Sequence, residues 1–399
     1  MTTSKKLFDV AVIGGGPAGS IAAHKLSSNG YRVILFEKAN PPRYKTCGGG
    51  IVKRVADLLD TEICSEFENE FYSIDVFDHQ SDFHHLVTRN YPLVYMSMRE
   101  NFDNALLREA ESNGTTIKEN CEVLDIKINS DSVLIETVKG NYRAEFLVAA
   151  DGAQGISAKK SGLKIHKKNL PALEYEVSIS NTDMKRFSTA RFDFGVVPGG
   201  YAWVFPKRNH ISIGLGIFAT NNRTENINKY VNDYISKLGL NNIENIQKHG
   251  FYIPVSLSQN KLSSNRIFLV GDAAALADPL TAEGISSAIF SGKFAAEAII
   301  EGKGDVEKSS YLYNKKIEEN LWKELKGSLF LNKVFYSYDN IRAFLMKHYG
   351  IKLSEIIADI ISNQRKYSGL LKNPANYLKL VRHYFSHTRK ENIFYPEHV

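Results

Sequence analysis

The chain has 399 residues, 43% of them apolar and 24% charged, which suits roughly two or three globular domains and excludes a disordered or fibrous protein. Its formal charge of +6 is modest for this length, and Cys47, Cys64 and Cys121 lack C-x-x-C spacing, so neither a disulfide framework nor a zinc site is expected and the setting is cytoplasmic. No run of roughly eighteen apolar residues occurs, so any membrane contact is expected to be peripheral, at the inner face.

In chain order, the first signal is Asp9-Val-Ala-Val-Ile-Gly-Gly-Gly-Pro-Ala-Gly19, an apolar strand running into a glycine turn and a helix. Gly14 permits the turn, Gly16 lets backbone approach a pyrophosphate, and Gly19 allows close helix–strand packing. A second strand, Tyr31 to Phe36, ends at Glu37, about twenty residues on, where a carboxylate can accept both hydroxyls of a plain ribose. Pro42 to Ile51 then sets Cys47 beside three glycines whose missing side chains let backbone approach a flat ring. A helix is expected over Val52 to Leu59.

Asp78 to His85 carries three histidines but no recognised ligand spacing; it reads as a polar edge hairpin, and no metal is expected. An extended stretch from Thr88 to Met98 leads to Arg99, followed by a helix from Phe102 to Asn113 with Phe102, Leu106 and Ala110 on one face. Strands at Val133 to Val138 and Glu145 to Ala150 follow, the latter ending in the turn Asp151-Gly152 at the kind of strand end that lines a cofactor crevice.

From about 166 to 261 the pattern changes to alternating strands, such as Phe192 to Val197, which suggests a mostly antiparallel unit. Within it, Tyr201 to Gly216 reads as a hairpin turning at Pro206 to His210, with Tyr201, Trp203 and Phe205 on one face as an aromatic wall. A second strand-to-helix junction, Arg266 to Ala275, places Asp272 to bond a ribityl or phosphate-side hydroxyl, and the turn at Gly284 to offer N–H groups to a flavin ring. Two such junctions in one chain are explained by a single bound dinucleotide, FAD rather than NAD. Beyond Asp305 the pattern is helical, with Leu312, Trp322, Leu325, Leu329, Val334 and Phe344 among its apolar positions. Arg365 to Lys390 holds seven Lys or Arg and no acid, interleaved with Tyr367, Tyr377, Tyr384 and Phe385, a composition suited to an anionic bilayer surface. No nucleic-acid motif accompanies that charge.

Taken in order, these segments resemble the geranylgeranyl reductase family, FAD enzymes related to p-hydroxybenzoate hydroxylase that saturate double bonds of polyprenyl chains. The resemblance covers residues 1 to about 300. It implies an α/β fold: a Rossmann-type FAD-binding domain (1–72, 97–165 and 262–304), an inserted, mainly antiparallel β substrate domain (73–96 and 166–261) and a C-terminal helical region (305–399). It implies FAD contacts from Gly14, Gly16, Pro17, Ala18, Gly19, Glu37, Lys38, Cys47, Gly48, Gly49, Arg99, Val123, Asp151, Asp272, Gly284 and Ile285. Tyr201, Trp203, Phe205, Gly214 and Gly216 would shape a prenyl cavity, with Cys47, ahead of Tyr201 or a water, as the proton donor. Only one nucleotide fingerprint is present, so electrons would come from NADPH docking transiently or from a ferredoxin-like redox protein. The competing readings are a flavin monooxygenase or halogenase of the same fold, and a prenyl-lipid carrier that keeps FAD as a relic.

Overall fold

The computed structural model describes residues 7–219, 226–240 and 243–370. The charged stretch Arg365 to Lys390 therefore lies largely outside the described residues. Among the described residues the strands form sheets of eight, seven and three.

The largest sheet is parallel at its centre: Leu7–Ile13 lies between Val33–Phe36 and Gly140–Ala149, and Ile267–Leu269 pairs with the far side of the latter. These strands read as unbroken apolar runs because both faces are covered, and Val10, Ala11, Val12 and all of Val33–Phe36 are buried. Helices Pro17–Ser27 and Ile285–Gly302 pack together over one face.

The seven-stranded sheet runs Ile243–Ser256, Lys167–Ile179, Ile211–Ile217, Gly200–Pro206, Ala190–Phe194, Ser73–Asp78 and Phe83–Thr88. One face carries Tyr175, Val177, Ala202, Val204, Ile213 and Leu215 into a core closed by helix Ile227–Lys237. Strand alternation turns Glu174, Tyr201, Trp203 and Phe205 to the other face, toward the first sheet. The segment Asp78 to His85 is an edge hairpin as expected, with His79 and His84 each bound to a carboxylate, of Asp193 and Asp75 respectively, at 2.6 Å.

Several boundaries differ from the sequence reading. The helix expected over Val52 to Leu59 is replaced by a strand, Gly50–Val52, and a single turn, Lys53–Ala56. Gly50–Val52 pairs with Val94–Met96, so sheet hydrogen bonds override the local helical pattern. Within the stretch from Thr88 to Met98 only Thr88 and Val94–Met96 are strand, and the helix after it starts at Arg99 and stops at Ser112. The strand expected from Phe192 to Val197 stops at Phe194. No helix among the described residues is long and apolar enough to cross a membrane.

Candidate functional site

The ends of the central parallel strands open on a cavity of about 1490 Å3, larger than the ~300–1,000 Å3 of a pocket for one small ligand. At its nucleotide end Gly14 has φ +100°, and a Cβ there would stand 2.3 Å from the Ala150 carbonyl oxygen. Only glycine lets the first strand turn this close to its neighbour. Gly16, Pro17 and Ala18 line the cavity where the helix begins; the helix has no side-chain cap and no acid in its first turn, an arrangement suited to an anion. Gly19 does not line the cavity and instead seats the helix against the turn, its absent Cβ being 2.0 Å from the Gly14 oxygen.

Glu37 is almost fully buried, its Oε2 accepting the Gly15 N–H and its Oε1 the Ala39 N–H, each at 2.9 Å. Those bonds fix the carboxylate at the end of the second strand and leave lone pairs for hydroxyl donors. Lys38 and Val123 line the same end.

Asp151, Asp272, Gly284 and Ile285 also line the cavity, Asp151 directly beside the glycine turn, its Cα 3.3 Å from where a Gly14 Cβ would stand. Burial pushes the carboxyls of Asp151 and Asp272 up, the latter opposed by the charges of Lys45 and Arg99. Asp151 Oδ1 is buried and has no hydrogen-bond partner among the described residues.

Arg99 is bidentate to buried Asp103, at 2.8 and 2.9 Å, and Arg43 reaches the same carboxylate at 3.0 Å. Burial disfavours the Arg99 cation, but Asp103 and Cys47 beside it outweigh that and raise its pKa. Cys47 Sγ accepts the Gly49 N–H at 3.4 Å, and Cys47, Gly48 and Gly49 all line the cavity.

Tyr201, Trp203 and Phe205 form the facing wall. Tyr201 donates its hydroxyl proton to the Thr281 carbonyl at 2.5 Å, and burial raises its pKa. Gly214 and Gly216 lie outside the lining; a Cβ at Gly214 would stand 2.0 Å from the Trp203 ring, so the bare backbone is what lets the indole lie across the strand.

The far end is closed by helices Lys323–Ser337 and Asp339–Ile361, which carry no motif visible in the sequence. Leu331, Val334 and Phe335 of the first, and Ile341, Leu345, Leu353 and Ile357 of the second, give it an apolar lining at helical spacing. The first helix also fixes the loop that forms the rim. Ser328 Oγ donates to Asp278 at 2.5 Å, Asn332 Nδ2 to the Pro279 carbonyl at 2.6 Å, and Tyr336 to the Leu280 carbonyl at 2.7 Å. Sequence reasoning missed Arg43, Asp103, Lys45, Glu174 and Lys207 as well; alternation from Ala172 along its strand was a signal for Glu174.

These residues fit FAD. The nucleotide end offers an uncapped helix start, a buried carboxylate with spare lone pairs and an unpartnered Asp151 oxygen, and bare glycine backbone flanks the space beyond. The FAD binding domain model matches residues 8–301 of the chain. An uncharacterized protein of Methanosarcina barkeri is 33% identical over 84% of this chain and 85% of its own length. The digeranylgeranylglycerophospholipid reductase of Thermoplasma volcanium is 30% identical over 76% of this chain and 80% of its own. Among solved structures, a geranylgeranyl bacteriochlorophyll reductase-like protein of Thermoplasma acidophilum superposes with a TM-score of 0.72 at 22% identity, covering 97% of this chain and 98% of that one. The chain belongs to the geranylgeranyl reductase family of FAD-dependent oxidoreductases, built on the p-hydroxybenzoate hydroxylase fold.

Proposed function

We propose that this protein saturates C=C double bonds of a geranylgeranyl or other polyprenyl chain carried by a lipid, a quinone or a diphosphate. The observation that carries this reading is the continuity of one cavity from the glycine turn, past Cys47 and Trp203, into an apolar end walled by the two C-terminal helices. A long hydrocarbon can lie in that end while one double bond rests beside the Cys-Gly-Gly-Gly segment.

Reduced FAD, when bound, supplies the hydride. An isolated alkene is a poor hydride acceptor, so the protein must hold it in place and provide a proton as the hydride arrives. The aromatic wall and apolar helices position the chain and exclude water. Cys47 is the proposed acid: it faces the cavity with a thiol proton to give, and Arg99 stands beside the thiolate left behind. Tyr201 suits the role less, since its proton is already given to the Thr281 carbonyl. Gly14, Gly16, Pro17, Ala18, Glu37 and Lys38 would hold the nucleotide, and Asp272, Gly284 and Ile285 the ring-side half.

The test is to reduce the flavin-loaded protein with dithionite and offer separately a geranylgeranyl ether lipid, a menaquinone and geranylgeranyl diphosphate. A mass gain of two hydrogens per double bond is expected for one of them and identifies the head group. Flavin present with no gain on any of the three contradicts the proposal.

A further inference from the structure

The two helices at the far end of the cavity do not seal it. Phe330 and Tyr338, 48% and 61% exposed, also line the cavity, as does the exposed Lys352. A side chain that meets both the cavity and bulk solvent marks a mouth. The space behind this mouth is the apolar end walled by Val334, Phe335, Leu345 and Ile357.

The outer surface of the same helices is patterned around that mouth. On Lys323–Ser337 the exposed residues are Lys323, Lys326, Phe330 and Lys333, spaced three, four and three apart, which sets them on one stripe of the helix. On Asp339–Ile361, beyond Asn340, they are Lys347, His348, Ile351 and Lys352, two pairs four apart and so again on one side. Ile351 is 61% exposed. Phe330 belongs to the first stripe and Lys352 to the second, so the two stripes meet at the mouth.

Charge on this face has one sign. From Lys323 to Leu370 seven Lys and Arg are exposed, and no Asp or Glu is. The four acids of the segment are held elsewhere: Glu355 and Asp359 pair with Arg89, Asp339 pairs with buried Arg342, and Glu324 accepts the Ser368 N–H at 3.5 Å. The whole chain is nearly balanced, with 50 Lys and Arg against 44 Asp and Glu, so the segregation belongs to the face and not to the composition.

We propose that this face docks on an anionic lipid bilayer, with the cavity mouth turned to the membrane. Negative headgroups match the lysines, and Phe330, Tyr338 and Ile351 suit the boundary between headgroups and acyl chains. A prenyl chain then passes from bilayer to cavity without crossing water, a step that rests on the alkene-reduction reading, whereas the docking itself does not. A second copy of the chain suits the face poorly, because a two-fold contact would press its cations against themselves. An acidic protein would match the charge but would leave the hydrocarbon mouth without an apolar occupant.

The experiment mixes flavin-loaded protein with vesicles of phosphatidylcholine, alone or with added phosphatidylglycerol, and measures the bound fraction by sedimentation. Binding is expected to the anionic vesicles and to weaken as salt is raised. Lys333→Gln with Lys347→Gln is expected to lower that binding about twenty-five-fold, at about fivefold per lysine. Ile351→Ser should lower it further. None of these three residues lines the cavity, so flavin content and turnover of a detergent-dispersed geranylgeranyl lipid should stay at wild-type level, while turnover of the same lipid in anionic vesicles falls with binding. Equal binding to both kinds of vesicle, or variants that bind as the wild type does, would overturn the proposal. A dimer split by Ile351→Glu with vesicle binding unchanged would overturn it too, making the face a subunit contact. Vesicle binding that the variants lose, without reduction of any prenyl substrate, would sink the alkene-reduction reading and leave the docking face standing. Turnover of the dispersed lipid by a protein that ignores vesicles would do the reverse.

Discussion

Gly48 lies against the indole of Trp203: a Cβ at position 48 would come within 2.9 Å of both Trp203 Nε1 and Phe205 Cδ2. Two segments 155 positions apart thus form one surface, the glycine loop on one side and the aromatic strand on the other. Gly48→Val is expected to tilt the indole off the Ser212 hydroxyl, which it bonds at 3.5 Å, and misplace the bound alkene. A loss in kcat/KM of about a hundredfold is predicted, the scale expected of a misplacement near 1 Å. A wild-type kcat/KM in the variant would show that the contact has no bearing on positioning.

Glu37 is held at both oxygens by backbone N–H groups. Glu37→Gln converts one acceptor to a donor facing an N–H, so FAD affinity should drop by about tenfold or more, the equivalent of one charge-assisted hydrogen bond. Titration of the apoprotein with FAD, followed by flavin fluorescence, measures this directly.

Much of this site was legible in the sequence because its chemistry depends on residues with few substitutes. Gly14 is forced by its φ and by the Ala150 oxygen, Glu37 by its place at a strand end, and Tyr201, Trp203 and Phe205 by strand alternation. The helical end was not legible. Ser328, Asn332 and Tyr336 lie four residues apart and fix the Asp278–Thr281 loop by bonding, respectively, a carboxylate and two carbonyls, and a backbone carbonyl leaves no trace in a sequence. Lys207 was read as part of a turn and is in fact buried, because its partners, Ser97, Glu174 and Glu176, come from elsewhere in the chain.

The apolar end of the cavity should set chain length. Val334→Trp adds bulk where Val334 lines that end, at a distance in sequence from every nucleotide residue. Flavin content is expected to stay at wild-type level while KM rises for a geranylgeranyl substrate more than for a farnesyl one. Equal effects on both chain lengths would place the hydrocarbon elsewhere.

Stability should carry the signature of Glu174. Its carboxyl is raised from an ordinary 4.5 to about 8 in the fold, by burial and then by the Glu176 charge, so the folded state binds more protons than the unfolded state across that window. This contribution is complete below pH 4.5 and is lost as pH rises through about 8. Glu174→Gln has no such loss, and its melting temperature relative to wild type should climb steadily from pH 5 to pH 8. A constant difference across that range would mean that the carboxyl is ionised in the fold.

Arg342 is buried and ion-paired with Asp78 at 2.8 Å and Asp339 at 2.6 Å, tying the second C-terminal helix to the edge hairpin. Arg342→Met strands the fully buried Asp78 carboxylate and is expected to cost about 3–5 kcal/mol in denaturant unfolding.

Alkene reduction by the bound flavin is measured by mixing photoreduced protein with a geranylgeranyl ether lipid in a stopped-flow instrument without oxygen. The absorbance of oxidised flavin is expected to return on mixing, with one double bond lost for each flavin reoxidised. Flavin that stays reduced, or reoxidises without loss of a double bond, with this lipid and likewise with geranylgeranyl diphosphate and a menaquinone would contradict alkene reduction.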